Sequence, residues 1–226
     1  MVKMKKPENN NSDKKIKPDK EIILNQKRNP AEEKRRLRSE IIAIRNTMPL
    51  LLRQQKSDKI LQTVYDIGAY KDAEVILTYV DYQSEVITSP LIERALLEGK
   101  KVYCPKVSGD DMDFYRISSL NYLKEGYKGI REPEAEELFI AIPQNPPDKK
   151  PLVIMPGVAF DMDCHRIGYG KGFYDRFLTR MSENGMDFYK IGLAYECQLV
   201  DKVPYETHDI SLNVIVTEND IYGKGD

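Results

Sequence analysis

The sequence predicts an α/β domain built on a mostly parallel, twisted sheet covered on both faces. Three observations carry this. Short apolar runs read as strands alternate with helix-like stretches along the chain. One of the alternations, VILTYV, a Ser-Pro helix start and then KVYC, has the crossover length of a βαβ unit. A chain of 226 residues is long enough to bury one substantial core.

Taken in order, residues 1–28 form a basic tail with the composition of a disordered segment, and one domain is expected over 29–222. Asn29 caps a helix with Pro30 at its first position. Leu37, Ile41, Ile44 and Met48 mark its apolar face, and Lys34, Arg38 and Arg45 form a basic ridge beside it. A second helix is expected from Ser57 to Ile67, stopped by Gly68. Val75–Val80 is the first strand. Ser89 then caps a helix begun by Pro90 and ended by Gly99, and Lys101–Cys104 is the next strand. The stretch 105–150 is less regular, with short strands at Asp113–Ile117 and Phe139–Ile142 around a Gly126, Gly129, Pro133 loop. Pro151–Met155, a helix from 173 to about 181, Lys190–Tyr195 and Leu212–Val216 complete the pattern.

The bulk numbers narrow the function. Residues 1–38 hold 13 Lys or Arg against 6 Asp or Glu, which gives the chain a basic head and an acidic remainder. Such a head suits RNA or an anionic surface, but no RNP-like aromatic strand or other nucleic-acid module accompanies it. A nucleic-acid partner is therefore not expected. No apolar stretch is long enough to span a membrane, and the start lacks the apolar core of a signal peptide. Cys104, Cys164 and Cys197 have no metal-like spacing and fit a reducing, cytoplasmic setting. Cys164 and His165 adjoin, which is weak ground for a nucleophile–base pair, since sequence neighbours need not face each other.

The densest chemistry lies in MPGVAFDMDCHRIGYGKGFYD, residues 155–175. A strand, then Gly168-x-Gly170-x-Gly172, then a helix start is the physical recipe for holding phosphate. Glycine lets the backbone approach an anion and adopt positive φ. Arg166 and Lys171 answer phosphate charge, and Asp175 suits a metal ion. By itself this string fits a tight turn with solvated charges as well. Glu85 follows the first strand's carboxyl end, where open α/β sheets place ligand groups.

MPGVAFD followed by RIGYGKGFYDRFL resembles the signature of the 5-formyltetrahydrofolate cyclo-ligase (5,10-methenyltetrahydrofolate synthetase) family. KRRLR, Glu85-Val86-Ile87-Thr88, GIREP, Gln198-Leu199 and a final His-Asp fall in the family's order, so the resemblance spans about Lys34 to Thr217. It implies a three-layer α/β/α sandwich akin to sugar-phosphate isomerase and CoA-transferase domains. It also implies ATP and magnesium as cofactors and 5-formyltetrahydrofolate as the substrate; a monomer, and use of polyglutamylated folate, are separate expectations that the sequence does not settle. Site roles follow by the same resemblance. Lys34 contacts ATP phosphates, and Arg38 lies between ATP and folate. Arg166, Gly168, Tyr169, Gly170, Lys171, Gly172, Phe173 and Asp175 form the nucleotide loop. Arg38, Glu85, Tyr169 and Phe173 border the folate, Asp175 and Asp209 face magnesium, and Arg38, Arg166 and Lys171 assist the chemistry.

The implied reaction explains the need for such groups. A formamide oxygen is a poor leaving group, so the γ-phosphoryl of ATP is transferred to it, and N10 attacks the activated iminium-phosphate carbon to close the ring. Phe173 stands where many relatives carry tyrosine, so a hydroxyl role there is absent. A diverged relative with another substrate is the alternative enzyme reading.

Overall fold

Asn29 opens the first helix as expected: its side chain accepts the Ala31 N–H at 3.0 Å, and Pro30 occupies the first turn. In this computed structural model, which describes residues 29–134, 137–139, 149–206 and 209–223, α1 spans Pro30–Asn46. The readings of the 1–28 tail, of residues 140–142 and of His208 lie outside the described residues. Pro49 cannot continue α1, and α2, Leu50–Asp66, starts directly after it. That is earlier than the expected Ser57, because Leu50, Leu51 and Leu52 are all exposed and show no buried face. A single helical turn, α3 (Gly68–Asp72), leads into β1 (Val75–Thr78). Then come α4 (Ser89–Leu97) and β2 (Lys101–Ser108).

Strand β2 runs further than KVYC and turns back as β3 (Asp111–Ile117), an antiparallel hairpin that the sequence reading divided at Pro105. The proline is tolerated for a specific reason. Its cross-strand partner Phe114 sends its carbonyl to the Phe139 N–H, away from β2, so Pro105 sits at a non-hydrogen-bonded pair. Pairing of β2 with β1 ends at Tyr103, two residues before the proline, so no donor is missed on that side either. The irregular stretch also contains the small hairpin β4 (Leu123–Glu125) and β5 (Arg131–Pro133). Next are β6 (Leu152–Met155), the short pair β7 (Ala159–Phe160) and β8 (Arg166–Ile167), and α5 (Phe173–Glu183). The chain ends through β9 (Tyr189–Leu193), β10 (Val214–Val216) and an unforeseen edge strand, β11 (Ile221–Gly223).

The main sheet has seven strands in the order β11-β10-β9-β6-β1-β2-β3. Neighbours from β10 to β2 are parallel, and the two outermost pairs are antiparallel. Side chains alternate between two cores. Ile76, Leu152, Ile154, Ile191 and Val214 face α2 and α4, with Ile60, Val64, Leu91 and Ile92. Leu77, Val153, Met155 and Ile215 face α5, with Phe177, Leu178 and Met181. Helices thus cover both faces. A third small cluster seats α1 through Leu37 and Ile41 against Val158, Ala159 and Ile167.

The order places a topological switch between β1 and β6. From β1 the chain crosses outward to β2, and from β6 it crosses the other way to β9. Such a switch opens a crevice beyond the strands' carboxyl ends.

Candidate active site

Two loops meet over that crevice. The loop after β1 is fixed by Asp81, whose Oδ1 accepts the N–H of Thr88 at 3.0 Å and of Ser89 at 3.3 Å at the start of α4. Thr88 Oγ1 donates to Tyr79 O at 2.9 Å, and Tyr195 Oη donates to Glu85 O at 3.0 Å. Glu85 is consequently buried, with its Oε2 accepting the Tyr82 N–H at 2.9 Å. Burial pushes its carboxyl up to about 7, against the opposing pull of the Arg45 charge, the nearby Tyr169 hydroxyl and the Tyr82 N–H.

The loop after β6 begins with a close approach: a Cβ at Gly157 would lie 2.3 Å from the Phe160 ring. Asp161 then builds a turn, its Oδ1 accepting the N–H of Asp163 and His165 and its Oδ2 the N–H of Val203 at 2.9 Å. Asp161, Asp163 and His165 bring ligand-type atoms within 4.8 Å of one another, but Asp161 is already committed to these backbone donors. Cys164 and His165 do not form a pair. The Cys164 thiol lies against Asn213 O and Tyr222 O, while His165 faces Asp161 and stacks on Tyr205 at 4.1 Å.

The glycine turn follows. Gly170 (φ 96°) and Gly172 (φ 64°) take the left-handed backbone that favours glycine, and Gly172 caps the N-terminus of α5. The turn is bound to α1. Arg38 Nε donates to Gly168 O at 2.8 Å, and its guanidinium would lie 3.4–3.6 Å from a Cβ at Gly170. Lys34 Nζ reaches Glu206 at 2.7 Å and Asp209 at 2.8 Å. Burial works against its charge, but these two carboxylates outweigh it and raise the lysine above its ordinary value. The ridge read from α1 thus turns inward, with its third member, Arg45, essentially buried at 1% exposure.

Arg166 is buried, and its Nη2 donates to Asp175 Oδ1 at 2.9 Å. The same oxygen accepts the N–H of Ile210, the residue after Asp209, at 3.2 Å. Asp175 and Asp209 carry hard oxygens of the kind magnesium takes, and each already holds a side-chain cation, Asp175 that of Arg166 and Asp209 that of Lys34. Arg166 Nε and Tyr174 Oη are buried without a hydrogen-bond partner among the described residues. They lie together, the guanidinium 5.7 Å from the Tyr174 ring centroid. Buried donors without a partner are rare in folded proteins and call for an explanation, of which a bound water, ion or ligand is one. Tyr174 was not singled out in the sequence, since nothing in FYD shows which aromatic turns inward. Lys171 is exposed at the turn. Phe173 meets the Tyr127 ring edge-on at 6.0 Å, and Tyr82 Oη donates to Lys128 O at 2.9 Å. The irregular stretch therefore supplies the third wall of the crevice.

Basic groups and glycine backbone thus occupy one side, an elevated carboxyl the other, and aromatic rings the rim. That arrangement fits an anionic, phosphate-bearing ligand beside a flat, hydrogen-bonding one. The 5-formyltetrahydrofolate cyclo-ligase family model matches residues 30–218. The 5-formyltetrahydrofolate cyclo-ligase of Haemophilus influenzae is 30% identical over 184 residues, which cover 80% of this chain and 95% of that protein. That of Escherichia coli is 32% identical over 156 residues, 66% of this chain and 81% of the relative. Among solved structures, Aquifex aeolicus 5,10-methenyltetrahydrofolate synthetase superposes with a TM-score of 0.71 at 31% identity, covering 85% of this chain and 94% of the other.

Proposed function

This chain belongs to the 5-formyltetrahydrofolate cyclo-ligase family, and from that premise we propose that the crevice above β1 and β6 is its catalytic site. The family reaction is ATP- and magnesium-dependent conversion of 5-formyltetrahydrofolate to 5,10-methenyltetrahydrofolate, with release of ADP and phosphate. When bound, ATP supplies the phosphoryl group and magnesium offsets the charge on it. The chain's own residues align and neutralise. Lys34, Lys171 and the N–H groups of Gly168–Gly172 hold phosphate. Arg38 and Arg166 stand where nucleotide and folate meet and take up charge that develops on the transferred group. Asp175 and Asp209 hold the metal. Glu85 orients the pterin by accepting its hydrogen bonds, and Tyr169 and Phe173 wall that side. With the formyl oxygen made a leaving group, a folate held in this orientation closes its ring with the advantage of proximity.

The observation that supports this reading best is the pair of donors left without a partner among the described residues, Arg166 Nε and Tyr174 Oη, beside the glycine turn. Titrating ATP–magnesium and 5-formyltetrahydrofolate separately into Arg166→Ala and Glu85→Gln tests it. Arg166→Ala should weaken both ligands, and Glu85→Gln the folate alone; normal affinities in both variants would move the site elsewhere. No helix among the described residues is long and apolar enough to cross a membrane. We further propose a cytoplasmic monomer that accepts polyglutamylated folate, with a domain related to sugar-phosphate isomerase and CoA-transferase folds.

A further inference from the structure

Gln198 belongs to the Gln198-Leu199 motif and has no part in the reaction as proposed so far. It lies in a single 3₁₀ turn, Glu196–Gln198, just past β9. Strand β9 runs parallel to β6 and next to it, so this turn emerges at the same edge of the sheet as the crevice. Gln198 and Tyr195 are both fully buried, and buried polar groups need partners. Gln198 uses both ends of its amide. Oε1 accepts the Tyr195 N–H at 2.9 Å, and Nε2 donates to Gly157 O at 2.8 Å and Val158 O at 3.0 Å, in the loop after β6. The Val158 N–H in turn donates to Ile167 O at 2.7 Å, one residue before the glycine turn.

Tyr195 reaches the other way. Its Oη donates to Glu85 O at 3.0 Å and lies 3.0 Å from Ser57 Oγ on α2. A phenol has one proton, and the Glu85 carbonyl takes it, so Ser57 donates to Tyr195. Ser57 Oγ then accepts the Ile87 N–H at 3.0 Å, and Tyr79 Oη donates to Val86 O at 2.9 Å. Three hydroxyls thus hold the main chain at residues 85–87, which lie outside any strand. Arg45 packs at the same joint. Its Nε donates to Ser84 Oγ at 2.9 Å, its Nη1 points to Gly157 O at 3.4 Å and its Nη2 donates to Tyr169 Oη at 2.5 Å.

We propose that Tyr195 and Gln198 are positioning residues for the phosphoryl transfer: together they brace the Glu85 loop against the loop that carries the glycine turn, at the separation the reacting groups need. The brace is continuous. Glu85 O is bonded to the Tyr195 hydroxyl, the Tyr195 N–H to Gln198, Gln198 to Val158 O, and the Val158 N–H to Ile167 O. Neither side chain is exposed to meet a ligand, so both act through the loops they hold. Phosphoryl transfer asks the protein mainly for alignment, and a displacement of about 1 Å between reacting groups is worth about a hundredfold in rate.

The inference rests on the proposed seating of folate at Glu85 and of ATP at the glycine turn, and the test separates the two. With the full chain well below its Tm, kcat is measured with both substrates saturating, and each ligand is titrated separately. Tyr195→Phe keeps the ring and removes only the hydroxyl. It should lower kcat by about tenfold to a hundredfold while the affinity for ATP–magnesium stays within about twofold. Gln198→Met should lower kcat as far and weaken ATP–magnesium as well, since Val158 is joined to the turn. The double variant should lose no more kcat than the worse single one, because both substitutions cut one brace. Gly192→Ala strains the packing on β9 without touching the brace, and its kcat should match the parent. A Tyr195→Phe enzyme with parental kcat, or with a loss no larger than that of Gly192→Ala, would overturn the proposal even if Gln198→Met does not fold. Single losses that multiply in the double variant would overturn it too. Glu85→Gln tests the premise by itself: unchanged folate affinity there would remove the seating on which the brace depends, whatever the brace variants do.

Discussion

At the scale of single residues, the proposed site rests on charges gathered around one crevice. Lys171 is exposed at the glycine turn, and Lys171→Ala should raise the KM for ATP about tenfold, the worth of one charged contact. An unchanged KM would remove it from the phosphate site. Asp175→Asn should raise the magnesium concentration for half-maximal rate by about tenfold or more, read from a metal titration at fixed ATP. Glu85 also predicts a stability signature. Its folded value, about 7 against an ordinary 4.5, is raised, so its contribution is full below the lower value and lost as pH rises through the upper one. Between those limits the parent should lose about 3 kcal/mol relative to Glu85→Gln, visible as Tm curves that diverge with pH. Where the candidate site lies was legible from residue types, because MPGVAFD and RIGYGKGFYD concentrate glycine and charge in a short span, though the role of each residue stays a proposal. Arg45 was not, because a buried arginine and a solvated one have the same helical address. Only the positions of Ser84, Gly157 and Tyr169 distinguish them.

At the scale of elements, periodicity revealed the long features and missed those made by pairing. β1, β6 and α5 were readable because each buries a continuous apolar face. The β2–β3 hairpin was obscured by Pro105, whose harmlessness depends on which edge of Phe114 is bonded. β11 is short and partly exposed, with no apolar run to announce it. Two glycines show how tightly the loop after β6 is packed beneath the site. A Cβ at Gly192 would lie 2.5 Å from Leu212 and 2.9 Å from Phe160, and one at Gly157 2.3 Å from Phe160. Gly192→Ala should cost about 1–3 kcal/mol in denaturant unfolding and leave both KM values unchanged. Gly157→Ala should also impair folate handling, since its carbonyl accepts from Gln198 Nε2 at 2.8 Å beside Arg45. Equal kinetic effects from the two substitutions would separate loop packing from the site.

At the scale of the whole molecule, the strand order gives the loops after β1 and β6 a common crevice, and α1 closes it with a row of cations. Sequence alternation anticipated a parallel sheet covered on both faces, but not the order of its strands. That order depends on which edges pair, a long-range property with no local signature. The placement of the basic groups on α1 leads to an expectation for the head of the chain: deleting residues 1–28 should leave turnover nearly intact, and a collapse would show that the head contributes to the site. The most direct test of the account is the near-ultraviolet absorbance of the methenyl product in mixtures of protein, 5-formyltetrahydrofolate, ATP and magnesium, with each omitted in turn, for the parent and for Arg166→Ala. The account predicts a rise that needs all four and is lost in the variant. Product formed without ATP, or an undiminished rise with Arg166→Ala, would contradict it.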